Sequence, residues 1–261
     1  MSGLWGGRNS PEARSAEARS SYEPRLRTYN VEHRTLNGSG RDPLKMGIAR
    51  EEKAGYLKPS DELPNFANLK EAEISAQRCR RCPLWERATQ TVFGAGDNHA
   101  RLVFVGEQPG DIEDRKGLPF VGPAGKLLDR ALNQAQINRD LCYVTNAVKH
   151  FKWEPFGQRR LHKKPTSREI QACCPWLHAE IELIQPEVVV GLGATAAASI
   201  FGVPVRIADV RGKLTHVESV GRTCLITAHP SSVLRVPDPE ARDAEFDRLV
   251  QDLTLLQEFA G

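Results

Sequence analysis

The chain has 261 residues, 40% of them hydrophobic and 26% charged, which fits a soluble globular protein and argues against a fibrous or membrane-embedded one. Its 36 Lys and Arg against 33 Asp and Glu leave a net charge of only +3, so an anionic partner must be met by local clusters of cations. No apolar run approaches the roughly 20 residues that span a bilayer, and no apolar signal core opens the chain, so a cytoplasmic protein is expected whose six cysteines are thiols or metal ligands.

Residues 1–60 mix Ser, Gly, Arg and Glu without a sustained apolar period, and the expectation is a poorly ordered extension ahead of a folded domain over 61–261. A short helix is expected from Leu69 to Cys79, running into Cys79-Arg-Arg-Cys82. The run Leu102–Val105 reads as a buried strand, and 123–136 as a helix whose Leu127, Leu128, Ala131 and Leu132 share one face. Strand 141–148 follows, and a helix starts at Ser167 with Glu169 just behind it. Strand 187–191, helix 194–201, strand 224–228 and a helix over roughly 239–259 complete the pattern. Alternating strands and helices predict a three-layer α/β/α fold around a mostly parallel, four-stranded sheet. Ligands in such sheets sit beyond the carboxyl ends of strands, where Glu107, Gln108, Asn146 and His229 all fall.

Cys79-x-x-Cys82 can bring two sulfurs to one metal, with His150 and Cys173 or Cys174 as further candidates. Spacing alone does not separate zinc from an iron–sulfur cluster, nor either from a redox pair. Cys142 and Cys224 lie in apolar strands and read as small buried hydrophobes.

The segments GEQPGD (106–111), GLPFVGPAGKLLD (117–129), YVTNAVKH (143–150) and HPSSVLR (229–235) resemble the family 4 uracil-DNA glycosylases, and more closely their UdgX branch. The resemblance runs in order from about Cys79 to Leu253. It implies a 4Fe–4S cluster on Cys79, Cys82, Cys173 and His150, the histidine standing where ordinary members have cysteine. It also implies a pocket for an extruded or single-stranded uracil. In that pocket Phe120 stacks on the base, Asn146 reads its edge, His229 donates to uracil O2, and Gln108 and Asp111 belong to the first motif. Glu107 is the acidic group nearest the chemistry. Ser231 and Arg235 are expected on the DNA backbone, and Leu234 either wedges into DNA or packs beneath its own loop.

Ordinary family 4 sequences lack the basic segment 156–165, which reads as a loop; the UdgX branch carries KRRIH where this chain has Gln158-Arg-Arg-Leu-His162. The resemblance implies that His162 captures the sugar C1′ left by uracil, with Glu107 taking its proton. Arg159, Arg160, Lys163 and Lys164 would then hold phosphates. The alternatives are ordinary turnover, with water attacking, and a non-catalytic uracil-DNA binder. The implied partner is uracil-containing DNA, single-stranded by preference, bound by a monomer. Gly191-Leu-Gly-Ala-Thr-Ala196 mimics a dinucleotide fingerprint, but it follows the third strand and reads as tight strand–helix packing, so no nicotinamide cofactor is expected.

Overall fold

The computed structural model describes residues 63–260; the expected N-terminal extension lies outside them. In chain order the elements are α1 (Leu69–Ala76), β1 (Ala95–Gly96), β2 (Leu102–Gly106), α2 (Asp111–Lys116), α3 (Pro123–Gln134), β3 (Cys142–Asn146), β4 (Trp153–Phe156) and β5 (Arg159–His162). They continue with α4 (Ser167–Ile184), β6 (Val188–Leu192), α5 (Ala194–Phe201), α6 (Ile207–Val210), β7 (Leu214–Val217), β8 (Arg222–Thr227), α7 (Pro230–Leu234) and α8 (Pro239–Thr254). Local chemistry sets several of these ends. Thr166 and Glu169 form a reciprocal capping box at the start of α4, and Pro123 and Pro239 occupy first helical turns, where a missing N–H costs nothing.

The main sheet has six strands in the order β1-β3-β2-β6-β8-β7. The four strands expected from sequence are its parallel centre, and antiparallel strands β1 and β7 add an edge on each side. Both additions escape a periodicity reading: β1 is two residues long, and β7 is mostly solvent-facing with only Val217 buried. Segment 156–165, expected to be a loop, contributes to an antiparallel hairpin of β4 and β5.

Leu102, Phe104, Val190 and Leu225 pack on one sheet face with Leu128 and Leu132 of α3 and Leu249 and Leu253 of α8. Val103, Val105, Val189 and Ile226 pack on the other with Leu177 and Ile181 of α4 and Ala197 and Ile200 of α5. That is the three-layer arrangement expected for a buried parallel sheet. A third apolar cluster joins α1 to α4 through Ala72, Ala76, Phe93, Val148, Cys173 and Trp176, with Cys79 and Cys82 at its margin.

Because β3 lies on one side of β2 and β6 on the other, strand order reverses between β2 and β6. The crevice beyond their carboxyl ends is where such a fold places a ligand.

Candidate active site

Each of the four parallel strands delivers a side chain to that crevice. Glu107 and Gln108 follow β2, Asn146 ends β3, Thr195 follows β6, and His229 follows β8. Asn146 sits directly beside Gly106 in the parallel register. A Cβ on Gly106 would lie 2.4 Å from Asn146 Oδ1 and 2.7 Å from Phe120 Cζ, so the bare glycine is what lets amide and ring approach each other. The Asn146 amide is buried and has no hydrogen-bond partner among the described residues, leaving a donor and an acceptor free for a ligand. Phe120 takes a left-handed backbone (φ 55), and Gly125 permits it: a Cβ there would fall 1.8 Å from the Phe120 carbonyl oxygen. The Phe120 ring stacks at 6.2 Å on the ring of His229.

Hydrogen bonds fix the proton on His229. Its Nδ1 accepts from the Ser231 backbone N–H at 3.1 Å and lies 2.8 Å from Ser231 Oγ. The ring proton of the neutral form is therefore on Nε2, a free donor. Burial, reinforced by Arg235 and His162, pushes the His229 pKa down to about 4, so the ring is neutral at physiological pH.

His162 is fixed by Gln108. The Lys152 N–H donates to Gln108 Oε1 at 3.1 Å, which sets the amide orientation. Gln108 Nε2 then donates toward the Lys163 and Lys152 carbonyls and lies 2.8 Å from His162 Nε2. Facing an amide donor, His162 Nε2 must accept, and its proton is on Nδ1. Burial lowers the His162 pKa, opposed by the Glu107 carboxylate and reinforced by Arg235. Glu107 Oε1 lies 3.6 Å from that same Nε2, and its other oxygen accepts from Thr195 Oγ1 at 2.6 Å. Thr195 was not singled out by its sequence; its place just beyond a strand end, in GLGATA, was the available signal. Gly191 of that segment sits tightly between Ile226 and Ile200, the strand–helix packing expected of it.

Residues 93–254 match the model of the uracil DNA glycosylase superfamily. The chain belongs to the uracil DNA glycosylase superfamily. It is 41% identical over 167 residues to the type-4 uracil-DNA glycosylase of Thermotoga maritima, covering 64% of this chain and 83% of that protein. It is 38% identical over 178 residues to the type-4 enzyme of Archaeoglobus fulgidus, covering 66% and 86%. Similarity extends to a type-5 uracil-DNA glycosylase of Pyrobaculum aerophilum, 31% identical over 159 residues, 51% of this chain and 67% of that one.

On this glycosylase scaffold two expected residues have other partners. Arg160, expected on phosphates, points inward: it pairs with Asp111, donates to Asp114 Oδ2 at 2.6 Å and to Thr89 Oγ1 at 3.2 Å, and packs against Phe151 and Trp153. Asp111, expected near the chemistry, is held by Arg160 and Arg115; desolvation is the largest single effect on its pKa and raises it, but the two cations together outweigh it and lower the pKa. The two together pin the β4–β5 hairpin to α2. Lys163 pairs with Glu154 at 2.9 Å, whereas Arg159 and Lys164 have no partner among the described residues. Arg235 donates to Ser231 Oγ at 3.0 Å at the start of α7, and Leu234 is exposed beside it.

The cysteines settle into two settings. Cys173 lies near enough to Cys82 and Cys79 to feel their charge, and its sulfur accepts from the Lys149 N–H at 3.1 Å. Cys79 Sγ accepts from Trp176 Nε1 at 3.3 Å. Cys174 faces away, 3.3 Å from His178 Nε2 and toward the Ser199 carbonyl. His150 Nε2 contacts Thr91 Oγ1 at 2.9 Å, and that hydroxyl gives its own proton to the Ala76 carbonyl. Nε2 must therefore be the donor, which leaves the His150 Nδ1 lone pair unused. Among the described residues no three His, Cys, Asp or Glu side chains close around a single metal ion; no helix is long and apolar enough to cross a membrane.

Proposed function

We propose that this protein excises uracil from DNA and is then captured by its own product through His162. Uracil enters the crevice, where the Asn146 amide matches its N3–H and O4 and would mismatch the reversed pattern of cytosine. Phe120 stacks on the base, and the His229 Nε2–H donates to O2. As the C1′–N1 bond breaks, its electron pair leaves with uracil as the N1 anion, which the neutral His229 donor stabilises. The His162 Nε2 lone pair, released from the Gln108 N–H, then forms a bond to the cationic C1′, giving an imidazolium beside the Glu107 carboxylate. Starting from a neutral imidazole, the step needs no proton removed from the attacking nitrogen. Glu107, expected to take that proton, serves the positive charge of sugar and imidazolium instead.

The observation that carries this reading is the clamp on His162: a neutral ring with its lone-pair nitrogen held by Gln108 and set beside Glu107. An imidazole held at the crevice competes with water at a far higher effective concentration. Single-stranded DNA is the preferred substrate, because extruding a base from a duplex costs a few kcal/mol. The protein acts as a monomer.

Cys79, Cys82, Cys173 and His150 would hold a 4Fe–4S cluster. The donors fit: two sulfurs accept N–H hydrogen bonds, as cluster thiolates do, and His150 keeps Nδ1 free while its other nitrogen is anchored. The cluster would supply a cross-link between the segment before β1, the end of β3 and α4.

The test counts uracil. With excess single-stranded uracil DNA, wild type releases about one uracil per protein and stops, and His162→Ser continues to turn over. The second reading, ordinary turnover, rests on the likeness to type-4 glycosylases and predicts many uracils per wild-type protein. That result would remove His162 from its assigned role.

A further inference from the structure

The hairpin that carries His162 has a second face. Residues alternate sides along a strand, and residues opposite each other in the pairing share a side. Arg160 and His162 point inward, to Asp111 and to Glu107 and Gln108. Arg159 and Leu161 therefore point outward, together with their cross-strand partners Phe156 and Glu154. Phe156 is 69% exposed, the most of any large hydrophobic among the described residues, and Leu161 is 48% exposed. Phe156 and Leu161 share that outward face, so the apolar surface there is a patch rather than an isolated ring, and such patches mark interaction sites.

The charges around it indicate the partner. Glu154 is neutralised by Lys163 at 2.9 Å, and Arg160 by Asp111 and Asp114. The hairpin and the residues just after it are left with Arg159, directly across from Phe156, and Lys164, neither paired among the described residues. An unpaired guanidinium beside an exposed aromatic ring is the combination that takes a base and its phosphate from a single strand. Phe156 also lies about 10 Å along the hairpin from His162, three residues at about 3.3 Å each. That is within reach of a nucleotide close to the one in the crevice.

We infer that the outer face of this hairpin grips the DNA strand next to the uracil, with Phe156 stacking on an unpaired neighbouring base and Arg159 on its phosphate. The inference rests on the glycosylase reading above and extends it: the hairpin would hold the strand on one face and place His162 with the other.

The test uses two single-stranded 15-nucleotide substrates, each with one central uracil. One has ordinary flanking nucleotides; the other has tetrahydrofuran abasic flanks, with the same phosphates and no bases to stack. The second-order rate constant for uracil release is measured with enzyme in excess. In wild type the base-bearing substrate should be faster. In Phe156→Ala the ratio between the two should fall by about tenfold, the usual effect of losing one base–aromatic stack, and Phe156→Trp should restore it. A ratio that Phe156→Ala leaves unchanged would overturn the inference and assign the face to a protein partner or to none. If wild type releases uracil from neither substrate, it is the glycosylase reading that fails.

Discussion

Two imidazoles a short distance apart are given different work by their hydrogen bonds. Ser231 takes the Nδ1 lone pair of His229 and leaves an N–H for the base; Gln108 keeps the proton off Nε2 of His162, and that nitrogen must leave the amide before its lone pair can reach the sugar. Both rings are held below the ordinary imidazole pKa by burial. Capture needs neutral His162, and protonation fills its lone pair. Adduct formation should thus be flat from alkaline to neutral pH and decline only as pH falls below about 6.5, the unperturbed imidazole value. A pH profile of adduct rate checks this, and a midpoint above that value would contradict the burial argument. His229, titrating near 4, should keep uracil release in His162→Ser going to lower pH than adduct formation in wild type.

The hairpin is the element that most distinguishes this site, and its anchor is Arg160. Asp114 is fully buried, so removing the guanidinium leaves a carboxylate with only the Thr89 hydrogen bonds. Breaking such a pair costs on the order of 3 kcal/mol. Arg160→Ala should lower the urea midpoint accordingly and slow adduct formation more than tenfold, since His162 rides on the same strand. Equal adduct rates in the two proteins would show that the anchor does not position His162. Sequence patterning missed this hairpin because its strands are four residues each and leave their apolar side chains mostly exposed. Basic composition made Arg159 and Arg160 look alike. Only alternation along a strand, which a loop assignment hides, separates the inward anchor from the outward cation.

At the scale of the whole molecule, the parallel centre was legible because fully buried strands such as Leu102–Gly106 and Val188–Leu192 are continuous apolar runs. The crevice was legible because its polar residues stand at the ends of those runs. What one dimension could not show was sidedness: adjacent Cys173 and Cys174 differ only in which way α4 turns them. Cys173 faces Cys79 and Cys82, whereas Cys174 faces α5. Cys173→Ala should therefore lose bound iron and the visible absorbance of a cluster, and lower the melting temperature, whereas Cys174→Ala should keep its iron. Iron analysis of both purified variants decides, and iron loss in Cys174→Ala alone would reverse the assignment.

A bond between His162 and C1′ would be visible by mass spectrometry of the adduct. Protein incubated with a single-stranded uracil oligonucleotide is boiled in SDS, and any band that stays joined to DNA is digested with protease and nuclease. Capture by His162 gives a peptide containing His162 that carries a deoxyribose remnant on the imidazole and no uracil. A remnant on any other residue, or free uracil and alkali-labile abasic DNA with no joined band, would contradict it.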